Sequence, residues 1–293
     1  MKKWLKENWE GYLFLSPWLI GLVVFTIIPI LASLYLSFTK YNILSTPEFS
    51  GFHNYIRMFN DDKFIQSLTV TFKFVFLSVP LRMAFALFIA VLLNRKIKGL
   101  RFYRAAYYVP SLLGGSVAIS ILWRQLFNRR GLVNQFLDIF EIEGLNWIAT
   151  PSTALYTLII LLVWQFGSSM LIFLAALKQV PEDLYDAAKI DGANKLRQFI
   201  SITLPMITPM ILFNLIMTII HAFQAFTPAF IISNGRGGPV GSTLLYSLYL
   251  YRRGFSFFEM GYASALAWVL LIIIAIFTAI IFWTSRKWVY YEG

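Results

Sequence analysis

The sequence predicts an all-α fold, a polytopic membrane protein with six transmembrane helices, from three observations. Of its 293 residues, 58% are hydrophobic and 13% are charged, against roughly 45–50% and about 25% in soluble domains. Apolar runs of about 20 residues recur, which is the helix length that crosses a hydrocarbon layer of about 30 Å. The chain has no Cys and two His, so thiol chemistry is excluded and neither a metal site nor a catalytic residue is predicted.

The positions of charges and helix breakers predict six spans within one transmembrane domain, 1–293. The first span is uncharged throughout, and it is too long and too hydrophobic for a cleaved signal peptide. The third has a breakable start because Pro110 and Gly114-Gly115 fall inside it. The predicted spans are approximately 12–38, 67–93, 105–127, 153–177, 204–232 and 260–283.

The distribution of Lys and Arg predicts the orientation. An even number of spans puts both termini on one side of the membrane, and cytoplasmic segments carry the excess of basic residues. Fourteen Lys and Arg fall in the termini and the 2–3 and 4–5 loops, against nine in the other loops. Both termini are therefore predicted to be cytoplasmic. Topology and lipid contact explain the net charge of +11, and nucleic-acid binding would need a basic soluble module that this chain lacks.

The 4–5 loop, 181–203, has the pattern of two short amphipathic helices joined at a glycine. Two acids stand in the first turn of the first helix, where negative charge opposes the positive end of the helix dipole. Leu184 and Ala187 have helical spacing before Gly192, which permits a break, and Leu196 begins the apolar face after it. Such a segment forms a compact knob that suits a groove in another protein.

A signature lies in the same loop. Asp186-Ala187-Ala188, three residues, Gly192, nine residues and then Ile202-Thr-Leu-Pro205 resembles the EAA signature of permease subunits of binding-protein-dependent ABC importers, with Asp186 in place of the usual Glu. The form Asp-Ala-Ala-Lys-Ile-Asp-Gly-Ala resembles the carbohydrate-uptake branch, which includes maltose-type and glycerol-phosphate-type permeases. The resemblance covers nearly the whole chain and implies a type I ABC importer permease fold with cytoplasmic coupling helices.

The resemblance implies that this loop docks into a cleft of a cytoplasmic ATPase. The residues implied for ATPase coupling are Asp186, Ala187, Ala188, Asp191, Gly192, Leu196, Leu204 and Pro205. The alternative is an amphipathic helix that lies on the membrane, for which a purely basic polar face is typical. This loop instead mixes four acids with four bases, counting Lys178 just before it, a balance that suits salt bridges with a protein partner.

No Gly-x-x-x-x-Gly-Lys-[Ser/Thr] phosphate loop occurs in the chain, so we expect no bound cofactor here and expect ATP and Mg²⁺ on a partner ATPase. The resemblance implies the other partners: a second permease subunit in a heterodimer, two ATPase subunits, and an extracytoplasmic solute-binding protein. Aromatic and Arg residues in the outer loops suit either the rim of a protein contact or a membrane interface, and we predict that the 3–4 and 5–6 loops meet the binding protein. The expected location is the lipid bilayer of the bacterial plasma membrane.

Polar side chains in spans four and five predict a solute path, because polar groups in membrane helices are costly and face the bundle interior. The alternative is that they bond to neighbouring helices as packing contacts. Sugar contacts in maltose-type permeases fall in these two helices, so the resemblance favours sugar binding. The predicted path residues are Gln165, Ser169, Asn214, Thr218, His221 and Gln224.

Span two contains two cations, Lys73 and Arg82. Nine residues at about 100° each place them on opposite faces, so at most one of them lines a given cavity. Arg82 is the candidate contact for an anionic saccharide such as a uronate oligomer. The alternatives for Arg82 are the inner headgroups or a carboxylate of a partner protein.

The sequence thus predicts a transport subunit, not an enzyme, that forms half of the translocation path of an ATP-driven sugar or oligosaccharide importer. The first alternative is an ABC permease for a polyamine, glycerol phosphate or phosphate. A second is an ion-coupled secondary transporter, which would carry acids within its spans, and no Asp or Glu lies inside any predicted span. A membrane-embedded enzyme would need clustered carboxylates or a nucleophile with its base.

Overall fold

The computed structural model describes residues 2–95 and 98–290, and most of them are helical. Lys96, in the basic 2–3 loop, lies outside the described residues. A short antiparallel ribbon pairs β1 (Thr39–Lys40) with β2 (Glu48–Phe49). The α-helices are α1 (Lys2–Leu22), α2 (Ile28–Ser37), α3 (His53–Phe59), α4 (Asp62–Leu93), α5 (Leu100–Leu113), α6 (Val117–Leu126), α7 (Leu132–Asp138), α8 (Pro151–Trp164), α9 (Gly167–Leu177), α10 (Glu182–Ile190), α11 (Lys195–Gln198), α12 (Leu204–Met206), α13 (Thr208–Phe223), α14 (Thr227–Ile232), α15 (Tyr246–Tyr251) and α16 (Met260–Ser285). Short π-helical segments continue three of the helices at Val23–Ile27, Phe199–Thr203 and Arg252–Ser256.

The chain divides into two compact units. Their ranges are Met1–Asp61 with Leu250–Val269, and Asp62–Tyr249 with Leu270–Gly293. In the first unit, Glu259 accepts hydrogen bonds from Arg57 at 2.9 Å and from Arg253 at 3.2 Å. Asp61 accepts from Arg253 at 3.1 Å and from the Tyr262 hydroxyl at 2.9 Å. This ionic network ties α3 to the turn that precedes α16.

Four helices of the described chain are long and apolar enough to cross a membrane, and two bent helix pairs meet the same criteria as pairs. The four candidates without a sharp bend, some of which join consecutive elements, are Trp9–Ser37, Asp62–Leu93, Thr208–Ile232 and Met260–Ser285. The bent pairs are Leu100–Leu113 with Val117–Leu126, and Pro151–Trp164 with Gly167–Leu177. The predicted helical class is therefore confirmed, with four to six candidate spans.

The third predicted span, 105–127, is not one continuous helix. The chain turns by 99° between α5 and α6, next to Gly114 and Gly115. Ser116 then begins α6, because its side-chain oxygen accepts a hydrogen bond from the Ile119 N–H at 3.3 Å. The glycines and this N-cap explain why the helix stops and restarts here.

The fourth and fifth predicted spans also contain breaks. α8 and α9 meet at 41° across Gln165 and Phe166. In the fifth predicted span, the long helix begins at Thr208 and not at Leu204 as predicted, because Ile207 separates α12 from α13. Prolines fall in the first turns of α12, α13 and α14, where a missing N–H costs no intrahelical hydrogen bond.

α4 is the central helix of the second unit and packs against α8, α9 and α13. Its Ala86 and Ala90 are completely buried in a cluster with Met170 and Phe173 of α9. Small residues at helix interfaces allow close approach of the backbones, which is the main source of attraction between helices that share an apolar solvent. The close packing of α4 on α9 therefore depends on these two alanines.

We expect Ala86→Leu to destabilise the protein by about 1–3 kcal/mol, because extra methylenes in a packed core force side chains and backbone apart. Ala84 lies on the exposed side of the same helix, so Ala84→Leu is the matched control and should change stability by less than about 0.5 kcal/mol. Thermal unfolding of the detergent-purified protein checks both. Equal unfolding temperatures for the two variants would contradict the assigned packing face.

Candidate functional site

The second unit contains a half-open cavity of about 660 Å³ between α4, α5, α8, α9, α13 and α14. This volume lies in the range of small-molecule binding sites, about 300–1,000 Å³. The predicted path residues that line it are Gln165, Ser169, Asn214, Thr218, His221 and Gln224. The structure thus brings all six, from two separate spans, to one cavity, and Arg82 of α4 lines the same space.

The polar residues that line the cavity differ in exposure. Ser169, Asn214 and Thr218 are buried, whereas His221 and Gln224 are exposed. The side-chain nitrogen of Asn214 is a buried donor without a hydrogen-bond partner among the described residues. A buried unpaired amide costs free energy, and this nitrogen is a free donor beside the cavity.

A set of hydrogen bonds holds the two helix breaks together. The Ser111 hydroxyl of α5 donates to the Gln165 carbonyl at 3.0 Å and accepts from the Ser168 N–H at 2.9 Å. The Gln165 side-chain nitrogen donates back to the Gly114 carbonyl at 3.1 Å. We refer to Ser111, Gly114, Gln165 and Ser168 as the break clasp. It pairs a carbonyl and an N–H that the interruption between α8 and α9 leaves without intrahelical partners.

Gly114 makes the break clasp possible because the Gln165 side chain occupies the space beside its Cα. A Cβ at Gly114 would lie 2.1 Å from Cγ of Gln165. Gly167 of α9 has no room for a side chain either, because a Cβ there would lie 2.3 Å from the Tyr107 carbonyl oxygen. The neighbouring Gly115 has open space at the corresponding point. Both breaks therefore depend on glycines in direct contact with the opposite helix.

Sequence reasoning did not find Ser111, whose hydroxyl closes the break clasp. The available signal was its position between Pro110 and the glycine pair in an apolar span, where a hydroxyl pairs with freed backbone groups. For Gln165, the packing alternative has support, since its amide nitrogen is engaged with Gly114. Ser111 and Gln165 both also line the cavity, so the break clasp forms part of its wall.

The two cations of α4 lie in different surroundings, as their spacing predicts. Lys73 is exposed, whereas Arg82 is only 9% exposed and lines the cavity. Its Nε is buried without a hydrogen-bond partner among the described residues. The structure therefore presents one guanidinium to the cavity and leaves the second cation on the outer surface of the helix.

The 4–5 loop consists of α10, a turn at Gly192 and α11, as its pattern predicts. Gly192 has a φ of +75°, in the left-handed region that favours glycine. The Asn194 side chain then caps α11 by accepting from the Arg197 N–H at 2.9 Å. Within α10 and α11, which the structure describes in full, no residue is buried.

The predicted coupling residues fall in two groups. Asp186, Ala187, Asp191, Gly192 and Leu196 are exposed. Ala188, Leu204 and Pro205 are half-buried, the last two of them in α12. An apolar surface accompanies the exposed group, since the side chain of Ile190 is 88% exposed. This combination of exposed apolar and charged residues is typical of a contact surface, and it lies apart from the cavity residues.

One ion pair lies on the surface of α10. Lys189 Nζ donates to Asp186 Oδ1 at 2.8 Å, and both side chains are exposed. This hydrogen bond and the attraction to the Asp186 carboxylate raise the pKa of Lys189 above its ordinary value. Solvent screens exposed pairs of this kind, so the pair orients the two side chains more than it stabilises the helix.

The family model for "Binding-protein-dependent transport system inner membrane component" matches residues 59–289. The chain therefore belongs to this family of membrane transport proteins, and the predicted family is confirmed. It is 54% identical over 290 residues to the "Probable ABC transporter permease protein YesP" of Bacillus subtilis (strain 168), covering 98% of this chain and 94% of that protein. It is 35% identical to the lactose transport system permease protein LacF of Rhizobium radiobacter, covering 98% and 97%.

The fold has a close structural counterpart. A chain of the bacterial alginate ABC transporter, solved in complex with an alginate pentasaccharide-bound periplasmic protein, superposes with a TM-score of 0.83 over 98% of this chain and 97% of that one. The two sequences are 21% identical, so the likeness concerns the fold. The chain thus has an ABC transporter permease fold, as the sequence predicts.

We expect Gly114→Ala to displace the Gln165 side chain, because the added Cβ would occupy its position. Loss of the Gln165 hydrogen bond and of local packing should destabilise the protein by about 1–3 kcal/mol. Gly115→Ala is the matched control, with the added Cβ in open space. Thermal unfolding of both variants tests the difference. A Gly114→Ala protein as stable as Gly115→Ala would show that the break clasp does not constrain this site.

Proposed function

We propose that the chain is a transmembrane permease subunit of an ATP-driven importer of sugars or oligosaccharides, in which it forms half of the translocation path. The observation that carries the proposal is the cavity, where hydroxyl, amide and imidazole groups from two spans converge with apolar walls. Sugars need both features, since their hydroxyls take hydrogen bonds and their ring faces pack on apolar surfaces. The permease family supplies the transport role, and no catalytic function is assigned.

Several relatives support the sugar class by what they are named for. The chain is 32% identical over 279 residues to the trehalose/maltose transport system permease protein MalF of Thermococcus litoralis, covering 94% and 93% of the two chains. The second candidate is a glycerol-phosphate solute. It is favoured by 31% identity over 280 residues to the sn-glycerol-3-phosphate transport system permease protein UgpA of Salmonella choleraesuis. The cavity favours saccharides, because its neutral polar groups outnumber its single cation.

The 4–5 loop is proposed as the coupling segment that contacts a separate cytoplasmic ATPase, which holds the ATP and Mg²⁺. Its exposed apolar and charged surface supports this role. The loop also joins the two walls of the cavity directly, since it follows α9, which carries Ser169, and precedes α13, which carries Asn214 and Thr218. A displacement of the loop by ATPase closure would therefore move both walls.

The proposed assembly contains a second permease subunit, two ATPase subunits and an extracytoplasmic binding protein. The chain would cross the bacterial plasma membrane six times, with the type I importer topology and both termini in the cytoplasm, as its basic residues favour. None of the 18 most apolar positions of the first span is buried within this chain. That span therefore offers a surface to lipid or to the second permease subunit.

The coupling role predicts that Asp186→Lys abolishes most ATPase stimulation in the assembled transporter. Reversal of an exposed charge at a partner surface should lower the stimulated rate at least about tenfold, the equivalent of about 1.4 kcal/mol. Glu48→Lys is the matched control, because it reverses an exposed charge in the predicted extracytoplasmic 1–2 loop, to which no partner is assigned. The measurement is ATP hydrolysis in proteoliposomes with and without a sugar-loaded binding protein.

The same preparations test the transport assignment. Uptake of a radiolabelled oligosaccharide that depends on both ATP and the binding protein is the expected result. Normal coupling in Asp186→Lys would contradict the role of the loop. Uptake of glycerol 3-phosphate in place of every saccharide supplied would favour the second candidate.

A further inference from the structure

Among the described residues that line the cavity, Arg82 is the only Lys, Arg, Asp or Glu. It is 9% exposed, and its Nε has no hydrogen-bond partner among the described residues. Arginine stays protonated in proteins, so this group remains a cation where it lies. A buried cation without a partner is costly, which indicates that its partner comes from outside this chain.

The chain itself offers no carboxylate to the elements that surround the cavity. No Asp or Glu occurs in 63–137, 144–181 or 192–258. These stretches contain α5, α6, α8, α9, α13 and α14 together with all of α4 after Asp62. No change of rotamer within these helices therefore neutralises Arg82.

Lipid headgroups are also a poor partner for Arg82. The residue lies eleven positions before the end of α4, or about 17 Å along the axis at 1.5 Å per residue. Its side chain lines the cavity instead of extending along the outer surface of the helix. Lys73, on the exposed side of α4, is the cation with access to the membrane.

We propose that Arg82 is an anion subsite of the translocation cavity and binds the carboxylate of an acidic, uronate-containing oligosaccharide. The inference rests on the proposed sugar-transport function and specifies its substrate class. The guanidinium fork matches a carboxylate with two parallel hydrogen bonds. The neutral polar groups of the cavity favour a saccharide, and the negative charge of an acidic saccharide is carried by its uronate carboxylates.

The remaining polar groups of the cavity suit the neutral part of such a ligand. The unpaired Asn214 amide nitrogen and the Ser169 and Thr218 hydroxyls are available to sugar hydroxyls. Phe213 and Phe226 also line the space and offer apolar surface to the ring faces. The carboxylate would thus fix the position of one ring while weaker contacts hold its neighbours.

Equilibrium binding of labelled trigalacturonate and neutral trigalactoside to the purified heteromeric transporter tests the proposal. The binding protein is omitted, so its own preference does not contribute. Wild type should bind trigalacturonate at least about tenfold more tightly, the difference expected of one charge-assisted pair. Arg82→Gln should remove this preference while leaving trigalactoside binding within about twofold. Lys73→Gln is the matched control and should keep the preference, and Arg82→Lys should keep part of it.

Equal wild-type affinity for the two trisaccharides, or an unchanged preference in Arg82→Gln, would overturn the anion subsite. Tighter, Arg82-dependent binding of glycerol 3-phosphate than of trigalacturonate would also overturn it. If Arg82→Gln instead separates the two permease subunits on size exclusion and Arg82→Lys shows no preference, the partner is a carboxylate of the second subunit and the proposal is wrong. Failure of the proposed function is separate, because it appears as absence of ATP-dependent uptake of any saccharide.

Discussion

The hydrogen bonds of the break clasp are the constraint on which the rest of the cavity depends. Inside a bilayer no water pairs with a broken helix, so every freed carbonyl and N–H needs a partner within the protein. Here two broken spans supply each other: the Ser111 hydroxyl pairs with both sides of the α8–α9 interruption, and Gln165 returns a bond to Gly114. These hydrogen bonds therefore hold the α5–α6 break beside the α8–α9 break, and the glycines allow the two backbones to approach closely.

This arrangement explains why polar groups are available at the cavity wall. The break between α8 and α9 places Gln165 and Ser169 beside the stripe of Asn214 and Thr218 on α13. The same two helices are joined by the exposed 4–5 loop. A partner that binds the loop can therefore displace both walls. The packing of α4 on α9 keeps Arg82 in the space between these walls.

Much of this architecture was predictable from the sequence, for identifiable reasons. Hydropathy indicated the candidate spans because membrane helices must be long and apolar. The positions of Pro110 and the two glycines indicated the break within the third span. Helical spacing separated Lys73 from Arg82 and grouped the polar residues of α13. The 99° angle and the role of Ser111 were not predictable, because a single serine in a span carries no signal of the backbone groups that it meets on another helix.

Amide hydrogen exchange at Ser168 tests the central claim most directly, because its N–H donates to the Ser111 hydroxyl. In Ser111→Ala, we expect exchange at least about tenfold faster, corresponding to loss of about 1.4 kcal/mol of protection. Ser168→Ala removes a side chain but keeps this backbone donor, so its amide should remain protected. Unchanged protection in Ser111→Ala would contradict the account, since the two helix breaks would then be held by other contacts.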